Sequence, residues 1–185
     1  MKARLVAVLC GAMVLGVAAP AHALSASTAF EHLTIIAAPG EKNILTVLAA
    51  GQGGVSSSFV IVESGTGTTQ AGPGCTKAVR VLRCDVASAY PFLTLSLGDK
   101  ADTAAVSGQF EYWEVYGGSG NDRVDLSQAP ASNPFVGGGW IGGGDGRDHL
   151  DTRNNSPDIV DCGAGADIAR ADGFDGLTSC RTRRL

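Results

Sequence analysis

The sequence predicts an all-β chain, strand-rich at first and then a short succession of turns rich in glycine and aspartate. Three observations point there. Runs of β-branched and apolar residues recur between residues 33 and 97, separated by turn material. From residue 98 on the composition shifts, and 14 of the 18 acidic residues and 16 of the 26 glycines lie there. Two nine-residue segments, GGSGNDRVD (117–125) and GGDGRDHLD (143–151), agree at Gly-Gly-x-Gly-x-Asp, at an apolar residue (Val124 or Leu150) and at a final Asp. No stretch beyond the N-terminal apolar run keeps a helical period.

The N-terminus reads as a secretory signal peptide, residues 1–23. Lys2 and Arg4 precede an apolar run from Leu5 to Ala19, Pro20 breaks it, and Ala21-His22-Ala23 gives a small-x-small cleavage pattern. The apolar run is too short for a convincing membrane anchor. Losing Lys2 and Arg4 takes the 14 basic residues to 12 against 18 acidic ones, a net charge of −6. That balance disfavours a nucleic-acid partner, because such binding rests on cationic contacts to phosphate. The only basic concentration, Arg181, Arg183 and Arg184, reads as a solvated tail (181–185).

The first part, 24–97, is a series of strand candidates. LTIIAA (33–38), NILTVLAA (43–50) and SSSFVIVES (56–64) are separated by Pro39-Gly40 and Gly51-Gln52-Gly53-Gly54. VRVL (79–82) lies between Cys75 and Cys84 and reads as half of a clipped hairpin. FLTLSL (92–97) alternates, with Leu93, Leu95 and Leu97 on one face. FEYWEVY (110–116) places Phe110 and Tyr112 on one face, its aromatics read as packing. Four cysteines remain in the exported chain, Cys75, Cys84, Cys162 and Cys180, which suggests two disulfides. Four cysteines allow three pairings, and proximity in sequence favours Cys75–Cys84 with Cys162–Cys180.

The second part, 98–180, shrinks its strand candidates to RVDL, DHLD and DIVD. So little apolar material between turns can be buried only if short strands stack in register. Two weaker copies flank the intact repeats. LGDKADTAA (97–105) keeps Gly98 and Asp102, and CGAGADIAR (162–170) keeps Gly163, Gly165 and Asp167 with Cys162 in the first place. The sixth-position aspartates Asp102, Asp122, Asp148 and Asp167 are separated by 20, 26 and 19 residues. The excess in the middle interval falls near SQAPASNP (127–134), which reads as a surface loop. Whether the turns of Asp122 and Asp148 meet depends on where that loop goes.

Glycine lets the backbone take positive φ and turn its carbonyls to a common centre. A hard ion such as Ca²⁺ takes six to eight oxygens, and a glycine-rich turn with one aspartate supplies several. One turn cannot surround an ion, but two turns about 4.8 Å apart can share it.

Segments 117–125 and 143–151 resemble the RTX (hemolysin-type) nonapeptide GGxGxDxUx. The wider chain is similar to small secreted actinobacterial RTX-like calcium-binding proteins. The likeness lies in its signal peptide, its short Cys–Cys loop GCTKAVRVLRC (74–84), its LGDKADT segment and its closing DIVDCGAGADIARAD…C element. The resemblance implies a right-handed parallel β-roll or β-helix with Ca²⁺ between turns. Carried over residue by residue, it gives Asp122 and Asp148 as side-chain ligands and Asp102 and Asp167 as the same position in weaker copies. The carbonyls of Gly118, Gly120, Gly144 and Gly146 are its backbone ligands. Asn121 and Arg147 occupy the variable fifth position and need not bind. The alternative is a metal-free stack whose aspartates bond to nearby backbone N–H groups.

Catalytic chemistry finds little support. His149 lies at a variable repeat position facing solvent, and His32 precedes a strand with no nucleophile partner in view. With 13 aspartates, some pair will always look suggestive of a glycosidase. The reading is therefore a secreted, non-enzymatic calcium-binding protein. A metal-free interaction protein stands as the alternative, with cell-wall glycan or a surface protein as partner.

Overall fold

A computed structural model describes residues 23–51, 55–129 and 138–184. Residues 1–22 of the expected signal peptide and the greater part of the expected loop at 127–134 lie outside the described residues. Among those residues there is no helix, and so none long and apolar enough to cross a membrane.

The strands run in chain order. The first eight are β1 (Leu24–Ala29), β2 (His32–Ile36), β3 (Ile44–Gly51), β4 (Ser57–Glu63), β5 (Thr69–Ala71), β6 (Cys75–Ala78), β7 (Val81–Val86) and β8 (Phe92–Ser96). There follow β9 (Thr103–Ser107), β10 (Tyr112–Gly120), β11 (Arg123–Gln128), β12 (Gly138–Gly146) and β13 (His149–Asp151). The chain closes with β14 (Ile159–Asp161), β15 (Ala164–Gly165), β16 (Ile168–Ala171), β17 (Gly176–Thr178) and β18 (Arg181–Arg184).

They form two mixed, nine-stranded sheets, neither closed on itself. One sheet has the order β17-β14-β12-β10-β8-β2-β1-β5, with β15 beside β12; the other has the order β18-β16-β13-β11-β9-β3-β4-β7-β6. From β8 to β13 successive strands alternate between the sheets, and β8, β9, β10 and β11 each pair in parallel with the strand two places on. The antiparallel pairs are confined to the N-terminal end, where β1, β4, β6 and β7 cover the stack.

The parallel stack begins earlier than the composition shift at residue 98. β2 pairs in parallel with β8, and β3 with β9, so residues 32–51 already supply one layer. The chain then leaves to build the covering strands and returns at Phe92. Both sheets therefore run through the 97/98 boundary without a break. Residues 181–184, read as a tail, pair in parallel with β16 as the last strand.

Alternation along each strand puts one set of residues between the sheets. Leu93 and Leu95 from β8, Val115 from β10, Ile141 from β12, Val124 and Leu126 from β11, and Leu150 from β13 join one buried cluster. The FEYWEVY segment departs from the expected parity. Phe110 is buried and stacks on Phe59 at 5.1 Å, but Tyr112 and Tyr116 face outwards while Trp113 and Val115 face in. The reason is that β10 starts only at Tyr112. Phe110 precedes a bend at Glu111, so its side chain does not share the strand's alternation.

Both disulfides favoured by proximity are formed, Cys75–Cys84 across β6 and β7 and Cys162–Cys180 near the C-terminal end of the stack. They close separations of 9 and 18 residues. Loops of that size stabilise the folded chain by about 2–3 kcal/mol each in the chain-entropy account.

Candidate metal centre

Register brings the aspartates together. Thr103, Arg123, His149 and Ile168 are in-register neighbours across β9, β11, β13 and β16, and Ile44 of β3 pairs with Thr103. The residues just before them therefore align as Asn43, Asp102, Asp122, Asp148 and Asp167, one per turn. The 26-residue interval does not separate the intact repeats. The extra residues of that interval fall between β11 and β12 in the sequence, and the two turns pair at Gly118–Gly144, Ser119–Asp145 and Gly120–Gly146.

One oxygen of each aspartate ties its turn to the turn before it. The amides of Asp102, Asp122 and Asp148 donate to Oδ1 of Asp122, Asp148 and Asp167 respectively, each at 2.8 Å. At the N-terminal end the Asn43 amide donates to Asp102 Oδ1 at 2.6 Å. Asn121 adds a parallel bond, its Oδ1 accepting from the Arg147 amide at 2.8 Å. This is the backbone bonding a metal-free stack requires, but it uses only half of each carboxylate.

The other half is left over. Oδ2 of Asp102, Asp122, Asp148 and Asp167 is buried in every case and has no hydrogen-bond partner. All four side chains are at most 1 % exposed. Burying a carboxylate oxygen without a donor is costly. The ninth-position aspartates differ. Asp125 accepts from Ser127 and Asp151 from Arg153, so these carboxylates are satisfied locally.

Glycine positions show where the leftover oxygens face. A Cβ on Gly117 would meet the Gly143 carbonyl oxygen at 2.3 Å and Asp122 Oδ2 at 2.9 Å. A Cβ on Gly143 would meet the Cys162 carbonyl oxygen at 2.5 Å and Asp148 Oδ2 at 2.7 Å. At each place a carboxylate oxygen and a carbonyl from the following turn lie close to the same glycine, where a Cβ would collide with both. The carbonyls of Gly118, Gly120, Gly144 and Gly146 each lie close to a glycine of the next turn: Gly144, Gly146, Gly163 and Gly165. The sequence did not single out the carbonyls of Gly143 and Cys162, which lie beside these carboxylate oxygens. The signal for them was the first place of the nonapeptide, which they both occupy.

Among the described residues no three of His, Cys, Asp and Glu gather at one point. The carboxylates come one per turn, and the remaining donors are backbone carbonyls. Such an oxygen-only set fits a hard cation like Ca²⁺ and does not fit metals that favour imidazole or thiolate. His149 is exposed, and His32 stacks on Phe92 at 4.9 Å.

Burial pushes Asp122 up to about 6, with the charges of Asp148 and Asp102 adding to the rise and the Asp102 amide opposing it. Asp102 and Asp148 are raised for the same leading reason. A second, shorter ladder at the opposite edge was not foreseen. Asp158 Oδ1 accepts from the Gly139 amide at 2.8 Å, and Asp175 Oδ1 accepts from the Asp158 amide at 3.0 Å. Its other oxygens are satisfied by Asn154, Thr152 and the Asp172 amide. Burial, reinforced by the charge of Asp175, pushes Asp158 up to about 8.

A folded-state value raised above the unfolded one means the folded chain holds the extra proton. The associated stability is complete below the usual aspartate value and is lost as pH rises through the folded value. For Asp158 the window runs from about 4 to about 8. Metal-free protein is therefore expected to melt at progressively lower temperature across that window, and Asp158→Asn to flatten the slope. Thermal melts in chelator at stepped pH check this; a rise in Tm over the same window would count against it.

No protein-family model matches this chain, and no curated protein or solved structure does either.

Proposed function

We propose that this is a secreted calcium-binding protein of RTX type, in which Gly-Gly-x-Gly-x-Asp turns of a right-handed parallel β-roll hold structural Ca²⁺. The carrying observation is the row of four buried, unpartnered Oδ2 atoms on Asp102, Asp122, Asp148 and Asp167. The Oδ1 bonds alone would serve a metal-free stack, so the leftover oxygens favour an ion. Asp122 and Asp148, with the carbonyls of Gly143 and Cys162, are the groups this chain would offer. The ion would supply positive charge to carboxylates that otherwise repel one another and resist ionisation. Two disulfides suit an exported protein. An ion bound only by the folded chain stabilises it by mass action, which would favour folding after export into a calcium-rich exterior.

Melts in chelator and in roughly 10 mM calcium test this, about tenfold above the weak end of the range for extracellular modules. Each ion is expected to add about 1–3 kcal/mol under those conditions. Superimposable melts would remove the reading.

A second reading has its own observation. Tyr116 and Trp140 stand 4.8 Å apart on the outer face of the first sheet, and the indole lies over Gly142, where a Cβ would come within 2.2 Å of it. The exposed Tyr116 ring and the half-buried Trp140 indole, beside the Glu114 carboxylate, suit a neutral cell-wall glycan, which offers C–H faces and hydroxyl donors. Sedimentation with purified cell walls should deplete the wild-type protein and spare Trp140→Ala. Equal depletion of both excludes this face.

A further inference from the structure

The N-terminal end of the ladder carries a feature outside both nonapeptides. There the sequence reads PGEKN (39–43), and Asn43 stands where the later turns have aspartate. Its amide nitrogen is engaged, donating to the Glu41 carbonyl at 3.2 Å and to Asp102 Oδ1 at 3.4 Å. Its amide oxygen has no partner, although the side chain is wholly buried. Oε2 of Glu41 is likewise buried and unpartnered. Both oxygens face the same place: a Cβ on Gly67 would meet Glu41 Oε2 at 2.6 Å and Asn43 Oδ1 at 3.1 Å. Two acceptors near one point with no donor of their own repel, and a cation there would relieve them.

A third group, a buried acid, ties together the two segments that carry these residues. Glu63 is 0 % exposed. Its Oε1 accepts from the amides of Ile44 and Gly65, and its Oε2 has no partner. The charge of Glu41 reaches Glu63 and adds to the rise that burial causes, while Arg80 opposes it. The backbone around these groups is fixed. Thr66 donates from its amide to the Lys42 carbonyl at 2.9 Å, Ser64 to the Ile44 carbonyl at 2.9 Å, and the Lys42 amide donates to Thr66 Oγ1 at 3.1 Å. The loop 64–67 is thus clamped onto the turn 41–44 before any ligand arrives.

We propose that Glu41 and Asn43 form the core of a separate divalent-cation site at the N-terminal end of the stack, with Ca²⁺ as the ion. The Glu41 carboxylate and the Asn43 amide oxygen are hard oxygen donors, the kind Ca²⁺ takes. Ca²⁺ suits this irregular set better than Mg²⁺, which demands near-octahedral geometry and holds its own water. The site uses none of the ladder's Oδ2 atoms and does not rest on their binding an ion.

Calorimetric titration of the disulfide-intact protein with calcium alone, counting ions per chain, tests the proposal. Glu41→Gln is expected to remove one ion from the wild-type count. Gly67→Ala is expected to do the same by filling the space with a methyl group, all charges intact. The ladder variant Asp122→Asn/Asp148→Asn is expected to keep this ion, and adding Glu41→Gln to it should abolish it. An unchanged count in folded Glu41→Gln and Gly67→Ala overturns the proposal and leaves the ladder reading standing. A folded ladder variant that binds nothing overturns it too. Wild-type protein that takes no calcium overturns both.

Discussion

Gly146→Ala is expected to be the most damaging single substitution in the turns, in calcium and in chelator alike. A Cβ there would fall 1.5 Å from the Gly120 carbonyl oxygen and 2.6 Å from its carbon, both backbone atoms of the neighbouring turn. The residue also holds φ at +140°. Left-handed strain costs about 1–3 kcal/mol, and forcing atoms into a packed site about 1–3 kcal/mol more. Together these are a large share of the roughly 5–15 kcal/mol by which a domain is stable. A loss of about 10 °C or more in Tm follows. Two other glycines separate the causes. Gly40 has φ +81° but open space about it, so Gly40→Ala should show the conformational cost alone, about 1–2 kcal/mol. Gly173 has open space and no left-handed φ, so Gly173→Ala should stay within about 0.5 kcal/mol of wild type. Equal melts for Gly146→Ala and Gly173→Ala would mean that the turns do not stack as closely as the register requires.

Much of this arrangement was legible in the sequence because a two-residue period and glycine spacing are local properties. Leu93, Leu95 and Leu97 alternate as expected and are buried. The sixth-position aspartates could be picked out because each precedes a strand at a fixed offset. What stayed hidden depends on contacts far apart in the chain. Residues 32–51 resemble any other strand pair, and only their parallel pairing with β8 and β9 makes them the first layer of the stack. Asn43 is a ladder rung by position, yet nothing around it repeats the nonapeptide. Asp158 and Asp175 form the opposite ladder without a glycine signature, 17 residues apart. Trp113 and Tyr112 exchange the faces expected from Phe110, because a bend resets the alternation and no local pattern announces it. Gly143 was read only as the first glycine of a repeat and Cys162 only as a disulfide cysteine in that place, whereas their carbonyls lie close to the leftover carboxylate oxygens.

The aspartate ladder can be taken apart by two substitutions at one position. Asp122 Oδ1 accepts the Asp102 amide at 2.8 Å, and Oδ2 has no partner. Asp122→Ala removes both oxygens. The buried Asp102 amide then lacks an acceptor, at a cost of about 1–3 kcal/mol with or without calcium. Asp122→Asn keeps an acceptor for that amide and removes the charge. It also ends the repulsion from Asp148 and Asp102 that helps hold the Asp122 carboxyl near 6. In chelator above that pH, Asp122→Asn is therefore expected to melt at or above the wild-type temperature. In calcium the order reverses if the carboxylate holds an ion, because the wild type gains stability by mass action and the variant does not. A crossing of the two proteins between chelator and calcium is the signature of an ion at this rung. If both rise by the same amount, calcium binds elsewhere, and a matching pair of melts for Asp148→Asn shows whether the next rung is involved. Combining the two Asn substitutions then measures coupling: additive losses of calcium response mean separate ions, and a shared loss means one ion held between neighbouring turns.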